Sequence, residues 1–252
     1  MNWAPFLWLA ATLGALLLIE RWIHRHLQGV MLLLTCDPEM ALVLYALPLL
    51  PGIILHEASH ALVAILLGAR IGRISIRPKL TGQRVQLGFV PVEKTDAVRA
   101  SLIGLAPLLI GSGVILLIGY TIFGIDTVGS ALVAGDLVKV VEGLVGMLEA
   151  PDAGIWAFVI FTVGNTMLPS RADRQAWLPV ILFLLLALVL IWIAGFGPTV
   201  VANLSEPLLV ALYWLAMMCT LTLVVDLPFA LAITLAERLL ERIKGFRVEY
   251  QE

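Results

Sequence analysis

The stretch Pro51-Gly52-Ile53-Ile54-Leu55-His56-Glu57-Ala58-Ser59-His60-Ala61-Leu62-Val63 decides how this chain is read. Apart from two histidines, a glutamate and a serine it is apolar or small. It sits inside a longer apolar run over residues 40–67. A run of about 20 such residues is long enough to span a bilayer as one helix. On that helix, positions four apart lie on one face, so His56 and His60 project to the same side. An ionisable residue inside a span costs at least about 2.5–3.5 kcal/mol and marks function by default. Here three of them stand together.

The rest of the composition agrees with a lipid environment. Of 252 residues, 61% are hydrophobic and 13% charged, against about 45–50% and about 25% in soluble domains. Mean hydropathy is +1.01. The formal net charge of −2 gives no electrostatic case for nucleic acid. Cys36 and Cys219 are far apart and match no metal-ribbon spacing, so both are expected as buried, unpaired membrane residues. The start, Met1-Asn2-Trp3-Ala4-Pro5, has no basic segment or small-residue cleavage site and reads as a retained anchor.

Six stretches qualify as spans or nearly do: residues 5–19, 40–67, 100–123, 154–168, 177–194 and 207–235. A shorter apolar stretch, 27–36, is expected to lie in the interface or dip back. Trp3, Trp22, Trp156, Trp177 and Trp192 fall near span ends, as in an aromatic belt. With six spans, thirteen of the sixteen Lys and Arg residues share one side, and Arg21, Arg25 and Lys139 lie on the other. Basic residues favour the cytoplasm, so both termini are expected there, with the membrane taken as a prokaryotic cytoplasmic one. The fold class expected is an all-α polytopic membrane protein, a single domain over 1–252. A small β-hairpin at about 73–92 follows the histidine helix, on the strength of two alternating or β-branched runs around Thr81-Gly82. The loop at about 127–150 mixes Asp136, Lys139, Glu142 and Glu149 with Val and Leu. It reads as an amphipathic helix on the outer surface.

His56-Glu57-Ala58-Ser59-His60 has the HExxH arrangement of zinc peptidases. Two imidazoles face one ion, and the glutamate after the first is placed to act as general base. Zinc lowers the pKa of bound water to about 7 and polarises the scissile carbonyl, while the glutamate takes and returns the proton. A catalytic zinc needs a third protein ligand. The candidates are Asp173, Asp226 in the last span, and Glu237 near the membrane edge. Asp126, Asp136, Glu142 and Glu149 fall on the opposite side. His24 and His26, two residues apart, point to different helix faces and read as solvated interfacial residues. On a 1.5 Å rise from Leu67, His60 lies about 10 Å and His56 about 16 Å below the cytoplasmic surface. Pro48, Pro51 and Gly52 are expected to break or bend the helix before the motif.

With these residues in place the chain resembles the site-2 protease family of intramembrane zinc metalloproteases. That family pairs the HExxH helix with a later helix carrying an Asn-x-x-Pro stretch that leads to an aspartate. Asn165, Pro169 and Asp173 are similar to that pattern, and Gly104-Leu105-Ala106-Pro107 is a loose counterpart of a small-Gly-Pro element between them. The resemblance covers about residues 40–175, with 1–39 and 176–252 as additions. It implies zinc held by His56, His60 and Asp173, Glu57 as base, and Asn165 beside the substrate or the oxyanion. It also implies a transmembrane protein as substrate and a minimal form without a regulatory PDZ or CBS domain. Two positions depart from the pattern: Arg174 stands where glycine is usual, and Pro169 comes one residue late. Two other readings start from the same residues. One is a zinc peptidase with Glu237 as third ligand and its site outside the bilayer. The other is a non-catalytic scaffold or transporter that retains a zinc site.

Overall fold

A computed structural model describes residues 3–72, 79–81, 84–86, 90, 91, 93, 95–248 and 250. Along the chain run α1 (Ala4–Thr35), α2 (Pro38–Leu66), β1 (Lys79–Thr81), β2 (Arg84–Gln86), α3 (Ala97–Thr121), α4 (Ile125–Ala134), α5 (Leu137–Glu149), α6 (Ala153–Gly164), α7 (Trp177–Ile193) and α8 (Gly197–Lys244).

Local chemistry sets the helix boundaries. Pro5 lies in the first turn of α1, where its missing N–H costs nothing. Cys36 ends α1 in the left-handed conformation. One residue later Asp37 caps α2, accepting from the amides of Glu39 and Met40. Asp96 caps α3 in the same way through Val98 and Arg99. Gly245, at φ 76°, closes α8.

Helix α2 sits centrally, packed against α1, α3 and α6, and α8 runs along α1. The core joins Leu16 and Ile23 of α1, Leu49 and Ile53 of α2, Ile115 of α3, Ile160 of α6 and Met218 of α8. Lipid is as apolar as these side chains, so close packing and not water exclusion must hold such helices together. Gly52 serves that end: a Cβ there would collide with the carbonyl of Thr162 and the side chain of Thr166, where α6 ends. By contrast, α7 buries none of its residues among those described.

The expected count of six spans is corrected. Four helices are long and apolar enough to cross a membrane, α1, α2, α3 and α8, or five if α5 and α6 are one span bent by 97°. The stretches 5–19 and 27–36 belong to the single 32-residue α1, so Arg21 and Arg25 lie inside a helix and not in a loop. At 17 residues α7 falls short. Stretch 207–235 is the middle of a 48-residue helix. Pro48 and Pro51 do not break α2, which is helical throughout. The loop expected at about 127–150 is two helices, parted at Gly135 with φ 71°. Asp136 caps the second through the amide of Lys139. Most of the hairpin expected over 73–92 lies outside the described residues. Within it, Lys79–Thr81 pairs antiparallel with Arg84–Gln86, Leu80 opposite Val85. Both cysteines are free, but Cys36 is exposed and only Cys219 is buried.

Candidate metal centre

Two segments bring three side chains able to ligate a metal to one point. The turn spacing of α2 brings His56 and His60 together, their Nε2 atoms 3.1 Å apart. Asp173, in the turns between α6 and α7, lies with Oδ1 3.2 Å from His60 Nε2 and Oδ2 3.9 Å from His56 Nε2. The ligating atoms of the three all lie within 4.8 Å of one another. His60 is buried, and His56 and Asp173 are half-buried. Glu57, which follows His56 in α2, is buried too, at 5% exposure.

Two prolines prepare the carbonyls that aim the imidazoles. Pro107 has no N–H, so the carbonyl of Ile103, four residues before it in α3, lacks its helical donor. His60 Nδ1 donates to that carbonyl at 2.8 Å. The carbonyl of Thr166 lies just past the end of α6, with Pro169 three residues on offering no N–H. His56 Nδ1 donates to it at 2.6 Å. A carbonyl can only accept, so both Nδ1 atoms carry a proton, and the Nε2 atoms are left to face each other and Asp173. In the neutral tautomers that leaves two Nε2 lone pairs 3.1 Å apart with a carboxylate beside them, a set that a cation can bridge. The residues therefore fit a metal ion, with the second-sphere carbonyls that metal-binding histidines ordinarily have.

Asp173 is held from two sides. Ser170 donates its amide to Asp173 Oδ2 at 2.7 Å, and its Oγ accepts the Asp173 amide at 3.3 Å. Arg174, in the place where glycine was the family pattern, turns its Nε to the Ser170 carbonyl at 3.2 Å. On the other side, a Cβ at Gly104 would strike the Asp173 carbonyl. Only glycine lets α3 approach this closely. Ser101 Oγ donates to the Ala176 carbonyl at 2.9 Å and ties the end of the same segment to α3.

The remaining candidates are placed elsewhere. Asn165, 2% exposed, commits its amide nitrogen to the Phe161 carbonyl and to Asp226 Oδ1, both at 2.9 Å. It thus has no side-chain donor free for a reacting carbonyl. Asp226 is not a ligand but the partner of Asn165. Glu237 is not one either: it accepts from His26 Nδ1 at 2.6 Å and from the Tyr250 hydroxyl. The solvated reading of His24 and His26 is corrected by the same contacts. His24 Nε2 donates to the Asn165 carbonyl at 3.0 Å, and its Nδ1 accepts from the Tyr45 hydroxyl at 2.6 Å. Residue type and spacing did not reveal His24, because its partners are a backbone carbonyl and a tyrosine of other helices. Comparison with known proteins found no family model, no curated protein and no solved structure that matches this chain.

Proposed function

We propose that the chain is a zinc-dependent intramembrane endopeptidase of the site-2 protease type, hydrolysing a peptide bond in or near a transmembrane segment of a membrane-protein substrate. The observation that carries this reading is the convergence of His56, His60 and Asp173, with Glu57 buried beside them, on a helix apolar enough to span a bilayer. Two imidazoles and a carboxylate, with a position left open, make the catalytic form of a zinc site. Ligands at about 2.0–2.1 Å from a tetrahedral ion stand about 3.3 Å apart, close to the 3.1 and 3.2 Å separations at His60. Bound there, zinc would bring a water's pKa to about 7 and polarise the carbonyl under attack.

The chain's own residues supply the rest. Glu57 takes the proton of the attacking water and hands it to the leaving amine. Burial keeps that carboxylate out of bulk water and close to the reacting atoms. A helical substrate must unwind first, because its carbonyls are already hydrogen-bonded. The β1–β2 ladder, which follows α2 in the chain, offers an edge on which an unwound segment can pair. The basic residues between α2 and α3 and after α8 favour a cytoplasmic setting for that loop and for the C-terminus, with the site nearer that face.

The test is to reconstitute the full chain in liposomes with a set of transmembrane peptides and to measure bound zinc and cleavage together. One zinc per chain and cleavage are expected for the wild type. Glu57→Gln should keep the zinc and lose the cleavage. Cleavage undiminished in that variant overturns the proposal. Zinc without any cleavage, accompanied by zinc flux into the vesicles, would establish the transporter reading instead.

A further inference from the structure

Asn165 caps the C-terminal end of α6, and two neighbouring carbonyls there are taken by two different histidines. The Asn165 carbonyl accepts from His24 of α1. The next carbonyl, that of Thr166, accepts from the metal-centre residue His56 of α2. The Asn165 side chain is fixed in turn by Asp226 of α8, which is fully buried. Helix α8 lies directly on this end of α6, since a Cβ at Gly164 would meet the side chain of Thr222. The circuit also closes on itself. His24 is held by the Tyr45 hydroxyl, and Tyr45 stands on α2 eleven residues, about three turns, before His56. Hydrogen bonds thus run from α2 through α1 to the 165–166 backbone and back to α2.

We infer that Asp226 and His24 are positioning residues for the metal centre: through Asn165 they fix the Thr166 carbonyl that aims the imidazole of His56. This rests on the metal-centre reading above and extends it to the first and last helices. Those helices contribute no ligand, yet the aim of one ligand depends on them. A general packing role would not require the polar groups. Asp226 buries a carboxylate with Oδ2 unpartnered among the described residues, and Asn165 leaves Oδ1 in the same state. Such orphaned acceptors are costly, and an apolar pair of the same shape would pack without them.

The full-length protein in detergent tests this with two readouts, zinc affinity by chelator competition and backbone amide exchange over residues 165–168. Asp226→Leu and His24→Leu should each weaken zinc by about tenfold, the lower end for partners outside the ligand shell, and speed exchange over 165–168. Asp226→Asn keeps an acceptor for Asn165 and sets an NH2 at the orphaned position. His24→Gln keeps a donor where Nε2 stands. Both should recover most of the affinity and protection. Leucine variants with wild-type affinity and exchange overturn the inference, as do conservative variants that lose as much as the leucine ones. Should the leucine variants fail to fold, Tyr45→Phe removes only a hydroxyl and should still raise exchange over 165–168; no change there overturns the inference. A wild type that binds no zinc would defeat the metal-centre reading, and amide exchange alone would then decide the brace.

Discussion

The chain has two pairs of histidines, each on a long apolar helix, and they do opposite things. His56 and His60 are four residues apart, about 40° around the helix axis, and their Nε2 atoms meet. His24 and His26 are two apart, about 200° around, and their rings go to separate partners. His24 reaches the end of α6, and His26 reaches Glu237 on α8. The same residue type is a convergent pair suited to one ion in one place and two struts to separate partners in the other. The turn of the helix decides between them.

The strongest way to break this contrast is to give the first pair the spacing of the second. A double variant Ala58→His, His60→Ala should lose zinc affinity by more than about a hundredfold, since even partners outside the ligand shell cost ten- to a hundredfold. Zinc analysis of the purified protein reads this directly. Glu57→Gln leaves the pair intact. It should keep stoichiometric zinc while cleavage falls by about 10²–10⁴, the usual weight of general acid–base catalysis. Gly104→Val keeps every ligand but forces α3 away from Asp173. A loss of about 1–3 kcal/mol in stability should come with weaker zinc binding, both measurable in one thermal titration with and without metal. The smallest effect is expected at His26. His26→Leu removes a short hydrogen bond to Glu237, worth about 2 kcal/mol for a charged partner, and should lower the thermal midpoint without changing zinc content. A change in zinc content there would mean that His26, like His24, acts on the metal centre.

What was legible in the sequence follows the same division. HExxH is a local pattern, and turn geometry alone brings its members together, so His56, Glu57 and His60 could be read without a fold. Asp173 was one of three open carboxylates by topology and was singled out only by the family resemblance. Its approach depends on Gly104 and on the Ser170 turn, which are contacts between segments. The carbonyls that aim the imidazoles were half-legible: Pro107 and Pro169 announce unpaired carbonyls, but not which side chain will take them. Asn165 was expected to present its amide to the substrate. Its partner Asp226 lies 61 residues away on another helix, a pairing that periodicity cannot encode. The span count erred where the chain itself gave no punctuation. Nothing between residues 19 and 27 of α1 breaks a helix, so two apolar stretches fused into one. In α7 the helix ends at 17 residues, short of the about 20 that cross a bilayer.

The bend of 97° between α5 and α6 leaves α6 as a 12-residue segment that ends where His56, His60 and Asp173 gather. Peptide dipoles add along a helix and leave about half a negative charge at its carboxyl end. That end supplies the Thr166 carbonyl to His56 and the Asn165 carbonyl to His24. The local potential is therefore negative before any acidic side chain is counted. It favours a positive ion beside the two imidazole Nε2 atoms. It works against an anion in the same place, so negative charge developing on a reacting carbonyl gains no help from α6.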